Sequence, residues 1–271
     1  TLANAGTIVT GGDGALGLEA IGVSDTTVEN TGTIRTEGNS TAGVYVGTDS
    51  VVNNAGAITS TGDGAIGVAA GNGSTVNNLA DGTISTEGSQ AHGIVLVGDA
   101  AIDNEGSVTT TGADAFGIIA TTDFTLINSG TISSDGARAI DVGGAGDLTN
   151  LEGGSIVSAT GDAIRFNVGG SSLTNRGSIT GDVGVRGSTA DDTVANFGTI
   201  EGATDGVLLG DGADEFQQWT GASAIGNVDL GFGSDLFILE GANSTVSGMI
   251  MGGAGSDTAI LAGVLDADNM T

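Results

Sequence analysis

The sequence contains no cysteine and no proline. Without Cys there are no disulfide staples, no thiol nucleophile and no thiolate metal site. Its only histidine is His92, so a Cys/His zinc site is excluded as well. Proline removes a donor from a strand ladder, and its absence suits continuous strands. Lysine is also missing. The five basic residues are all arginine (Arg35, Arg138, Arg165, Arg176 and Arg186), against 33 acidic residues and a formal net charge of -28. Nucleic acids and anionic membrane surfaces need a basic footprint and are excluded as partners; cations suit this charge. Aromatic residues make up 3% of the chain, which argues against the stacking platforms of carbohydrate and single-strand binders. No run of about 20 apolar residues occurs, so the segment does not span a membrane as a helix.

What the chain has instead is a repeat. Asn-x-Gly-Thr-Ile and close variants recur as Asn4 to Ile8, Asn30 to Ile34, Asn54 to Ile58, Asn104 to Val108, Asn128 to Ile132, Asn175 to Ile179 and Asn196 to Ile200. Two copies, Asn78 to Ile84 and Asn150 to Ile156, carry a two-residue insertion. The apolar anchor therefore steps by 21 to 26 residues, the period of a solenoid.

Residues 26–49 show one unit. Thr26 to Asn30, Gly32 to Thr36 and Ala42 to Val46 are short, β-branched, alternating runs separated by Gly, Asn, Asp and Ser. The 52 glycines and the period of two exclude helices. The reading is an all-β, parallel β-helix with three short strands per rung of about 21–26 residues. Three inward columns are expected: Ile34 and its equivalents, Val28 and its equivalents, and Val44, Val68, Ile94 and Ile118. About eleven rungs at roughly 4.8 Å make a rod on the order of 50 Å long. The Asn column is expected to turn the chain and to form a hydrogen-bonded ladder.

The texture changes near residue 187. Regular Asn-x-Gly-Thr-Ile rungs fill 1–186. Shorter rungs of the same β-helix fill 187–271 and carry Gly210-x-Gly212-x-Asp214, Gly231-x-Gly233-x-Asp235 and Gly253-x-Gly255-x-Asp257. Asp192 lies 22 residues before Asp214 and is assigned to the same stacked turn, which is traced back to Asp25, Asp49, Asp99 and Asp123. These Gly-x-Gly-x-Asp turns resemble the calcium turn of the RTX family. The resemblance implies calcium as a possible cofactor, with Asp214, Asp235 and Asp257 as metal ligands; a plain Gly-Asp turn is the alternative. RTX copies recur every nine residues, whereas these recur every 21 or 22.

A catalytic constellation does not emerge. The acids are spread along the turns, His92 stands where other rungs carry Ala or Ile, and no nucleophile elbow or phosphate loop is present. No catalytic residue is assigned, and the chain is expected not to be an enzyme. A regular ice-binding face of Thr and Ser is interrupted by Val9, Arg35 and Glu201.

The Asn-x-Gly-Thr-Ile repeats, followed by Gly-x-Gly-x-Asp rungs, resemble the passenger region of bacterial autotransporters over roughly residues 1–265. That family implies a right-handed parallel β-helix exported across two membranes. It also implies a C-terminal outer-membrane β-barrel beyond this segment, and display or release at the bacterial cell surface. The chain begins inside a repeat, so it is expected to be a segment of a longer protein. The expected function is a non-catalytic structural or adhesive stalk, extracellular or at the cell surface. Its partners would be a host-cell, matrix or surface ligand, or another cell through self-association. The alternatives are a calcium-dependent secreted or surface-layer solenoid and, less favoured, a β-helix enzyme that degrades polysaccharides.

Overall fold

The structure, a computed structural model, describes residues 1–262. Its described residues are all-β and contain no helix, and their paired strands run parallel. One rung consists of Thr27–Asn30, Thr33–Thr36 and Ala42–Val46. The next consists of Val51–Asn54, Ala57–Ser60 and Ile66–Ala70. Val28 lies beside Val52, Ile34 beside Ile58 and Val44 beside Val68, as the repeat spacing requires. The ladder of first strands has 12 members, from Leu2–Asn4 to Thr258–Ala262. Its eleven steps, at roughly 4.8 Å each, give a rod on the order of 50 Å long.

The three expected inward columns form one continuous core. Val28, Ile34, Val44, Val76, Ile84, Ile94, Val194 and Ile200 are all fully buried. Each such side chain contributes about 1.5–3 kcal/mol, and the sum grows rung by rung because each rung touches only its neighbours. Phe216 and Phe237 continue the first-strand column in the later rungs, with ring centroids 5.9 Å apart.

Two features specify how a rung closes. The second residue of these third strands is glycine because the β-branched anchor of the next rung occupies the space. A Cβ on Gly67 would lie 2.5 Å from both Ile84 Cγ2 and the Gly93 carbonyl. The other feature is the Asn column, which is buried and hydrogen-bonded from rung to rung. Asn30 Nδ2 donates to Asn54 Oδ1 at 2.7 Å, Asn54 to Asn78 at 2.8 Å and Asn78 to Asn104 at 2.8 Å. The two-residue insertions after Asn78 and Asn150 leave this ladder intact. Its last member is Gln218, whose Oε1 accepts from Asn196 at 2.9 Å. Repeat counting did not assign Gln218.

The rungs shorten for a visible reason. In the earlier rungs the second strand ends on a buried hydroxyl: Thr36, Ser60, Thr86, Thr110, Ser134 or Ser158. That hydroxyl bonds across the corner, as in Thr86 to the Ala91 carbonyl at 2.6 Å and Ser60 to the Ile66 carbonyl at 3.0 Å. Gly181 and Gly202 take this place later, and the second and third strands fuse into Ser178–Arg186 and Thr199–Leu208. The change therefore begins within 178–186, ahead of the boundary read at 187. Residues 263–271 of the segment 187–271 lie outside the described residues.

Candidate functional site

Two places on the rod carry chemistry beyond packing. The first is the corner that precedes the first strand, where the sequence points to a column of aspartates. Here Gly210 and Gly212, Gly231 and Gly233, and Gly253 and Gly255 adopt positive φ between 88° and 157°. The turns stack closely: Phe232–Gly233 pairs with Ala254–Gly255, and Asp211 bridges to Phe232. Side chains larger than hydrogen at these glycines would strike the carbonyl of the rung before, such as Gly210 O under Gly231.

The aspartates point into the coil and bond along it. Asp192 N–H donates to Asp214 Oδ1 at 2.7 Å, Asp214 N–H to Asp235 Oδ1 at 2.9 Å and Asp235 N–H to Asp257 Oδ1 at 3.2 Å. Asp192 has both oxygens occupied: Oδ1 accepts from Ser171 N–H at 2.7 Å and Oδ2 from Ser188 N–H at 2.6 Å. Asp214 and Asp235 are buried, and Oδ2 of each has no hydrogen-bond partner. Burial pushes the Asp214 carboxyl up to about 7, helped by the nearby Asp192 and Asp235 charges. Burial also raises Asp192, against the backbone N–H groups that hold its charged form. Asp257 is exposed. Of the three predicted ligands, the structure thus places two inside the corner and one at its rim. No group of three or more His, Cys, Asp or Glu side chains among the described residues is arranged to hold a metal ion.

The backward tracing of this column needs a correction of one residue. Asp25, Asp49, Asp99 and Asp123 fall in register with Asp191, not Asp192, and are exposed. A one-residue shift in a strand moves a side chain to the opposite face. In earlier rungs the inward position is Ser50, Ser74 or Ser171, and Thr26, Ala100, Phe124 or Gly146 in the others. Where it is serine the hydroxyl accepts from the neighbouring rung, Ser50 N–H donating to Ser74 Oγ at 3.1 Å and Gly146 N–H to Ser171 Oγ at 3.0 Å. From Asp192 onward a carboxylate does what the serine hydroxyl did. The signal was in the spacing: Asp192 stands two residues before inward Val194, whereas Asp25 stands three before Val28.

The second place was not assembled from the sequence. Successive third-face corners carry His92, Phe116, Arg138 and Asp162, each just before the column Gly93, Gly117, Ala139 and Ala163. Their side chains form a continuous line. Phe116 N–H donates to His92 Nδ1 at 3.1 Å, and the two rings lie 5.3 Å apart. Burial lowers the His92 pKa, which together with that acceptor role keeps the imidazole neutral. The Arg138 guanidinium sits 5.7 Å from the Phe116 centroid, bonds Asp141 at 3.2 Å and reaches Asp162 at 3.6 Å. Arg186 grips both Asp162 oxygens, at 2.8 and 3.1 Å. Arg165 lies between Asp141 and Arg186 in the strand register. Together Arg138, Arg165 and Arg186 line a cleft of about 480 Å³ with Asp114, Phe116 and Thr160. Three of the five basic residues thus converge on one face of a strongly acidic chain.

Comparisons with known protein families, with curated proteins and with solved structures found no match.

Proposed function

We propose that this chain is a non-catalytic structural and adhesive β-solenoid of the bacterial surface, the stalk of an autotransporter passenger. The observation that carries this reading is the continuous ladder of first strands from Leu2 to Ala262, in which rung follows rung along the described chain. Such a chain builds length and a repetitive surface. The high negative charge supports the reading, because it keeps a long β surface soluble and resists edge-to-edge association. The test is location and adhesion together. An antibody against the chain should label intact cells, and beads coated with the purified segment should bind host cells, matrix or one another. Labelling only after cell lysis, or polysaccharide cleavage abolished by an acid-to-amide change, would overturn it.

A second reading, a calcium-dependent secreted or surface-layer solenoid, is favoured by one observation. Oδ2 of Asp214 and of Asp235 is buried without a partner, and such an atom is stabilised by a proton or a cation. Calcium takes six to eight oxygens, so these carboxylates would supply only part of a shell that backbone carbonyls must complete. Under this reading, chelation lowers the melting temperature beyond the effect of ionic strength. An unchanged melt in EDTA removes it.

A further inference from the structure

We infer that the arginine cleft is a binding site for a small, singly charged hydroxylated carboxylate, a molecule of sugar-acid size. This goes beyond the proposed stalk role and does not depend on it.

The starting point is the uneven treatment of the three arginines. Arg186 is fixed by a two-pronged bond to Asp162, and Arg138 is shared between Asp141 and Asp162 while packing on Phe116. Arg165 forms no ion pair among the described residues; in the strand register it lies between Asp141, which Arg138 holds, and Arg186, which Asp162 holds. The neighbouring carboxylates, Asp141 and Asp162, are bonded to Arg138 and Arg186, so an incoming anion would meet an Arg165 guanidinium that neither of them pairs. Each guanidinium carries five N–H donors, and Asp162 occupies two of those on Arg186. Donors on both Arg165 and Arg186 therefore remain for an incoming anion. Their neighbours are already held, which lowers the ordering cost of binding.

The rest of the lining narrows the class. The planar fork of arginine matches a carboxylate bidentately. Thr160, whose hydroxyl donates to the Asp135 carbonyl at 3.0 Å, and Asp114 line the same cleft, and their oxygens can accept from hydroxyl groups on the ligand. The volume, about 480 Å³, lies within the range of small-molecule sites. The net charge of -28 acts against polyanions, because every further negative group meets the acidic remainder of the rod. A ligand with one charge avoids that cost.

The experiment is calorimetric titration of the whole chain with glucuronate, and with glucose as the neutral counterpart. Saturable binding of glucuronate is expected, with none for glucose. Arg165→Gln should weaken it by about tenfold or more, the scale of a lost charge-assisted contact. Arg176→Gln, outside the cleft and stacked on Phe197, should leave it unchanged. Melting curves of both variants establish that each is folded. The proposal is overturned by any one of three results: no saturable binding up to about 10 mM glucuronate, equal binding of glucose, or binding that survives Arg165→Gln intact.

Discussion

The backbone N–H of Asp214 donates to Oδ1 of Asp235 at 2.9 Å, while Oδ2 of both carboxylates stays buried without a partner. A ladder built this way is continuous in its backbone bonds and incomplete in its charge. One oxygen of each side chain accepts a backbone N–H, as the Ser74 and Ser171 hydroxyls do in earlier rungs; the other is a buried carboxyl oxygen with no partner.

The Asp214 carboxyl makes stability depend on pH. The Asp214 carboxyl is raised from its ordinary 3.8 to about 7. Between those values the folded chain keeps its proton while the unfolded chain loses it. The contribution of this group to stability is therefore highest below the unfolded value and falls as pH rises to about 7, beyond which it is lost. The melting temperature should be higher at about pH 5 than at about pH 8. Asp214→Asn should flatten this slope and raise the melting temperature at the higher pH. An unaltered slope in Asp214→Asn would assign the pH dependence to the overall charge.

Interrupting the Asn ladder in mid-rod should be costly. Asn104 Nδ2 donates to Asn128 at 2.7 Å, and its Oδ1 accepts from Asn78 at 2.8 Å. Asn104→Ala leaves buried partners above and below unsatisfied, each at about 1–3 kcal/mol. Urea unfolding is expected to show a loss of that size. A change below about 0.5 kcal/mol, the range of ordinary surface substitutions, would contradict the ladder's role.

The glycine column predicts a sharp contrast between two Gly→Ala changes. At Gly67 the new methyl would meet Ile84 Cγ2 and the Gly93 carbonyl, both 2.5 Å away, so overpacking by about 1–3 kcal/mol is expected. At Gly6 a Cβ has nothing within 4 Å, and the same change should be neutral or stabilising by up to about 1 kcal/mol. Adding Ile84→Ala to Gly67→Ala should recover part of the clash, measured as a coupling term in a double-mutant cycle.

The parts of this fold legible in the sequence are those that repeat. A column such as Val28, Val52 and Val76 announces itself because the same face recurs at a fixed step, and the Asn ladder does so for the same reason. Gln218 escaped because its rung combines a changed residue with the two-residue insertion also found after Asn78. The aspartate corner was found, but its backward extension slipped by one residue, since acidic turns are common here and alternate faces look alike without register. The arginine cleft was not legible. Arg165 and Arg186 hold the same position in adjacent rungs, but Arg138 stands three positions earlier in its own, and only the fold shows that its side chain reaches the same face. The fused strands from Ser178 onward depended on reading Gly181 as the loss of a hydroxyl cap, a meaning visible only once Ser158 is seen bonding to the Ala137 carbonyl in the corner of the rung before.

The strand register is the claim on which the rest stands, and the absence of native cysteine allows a direct test. Thr109 and Ser133 are register partners on the outer face of the second strands, with their hydroxyls 3.3 Å apart. Val157 is one rung further along the same column. Neighbouring parallel strands lie about 4.8 Å apart, within the Cα range of a disulfide, and two rungs lie well outside it. The measurement is disulfide formation in Thr109→Cys/Ser133→Cys and in Thr109→Cys/Val157→Cys under mild oxidation. The account predicts an intramolecular disulfide in the first pair and free thiols in the second. A disulfide in the second pair, or none in the first, would contradict the stacked register and with it the solenoid.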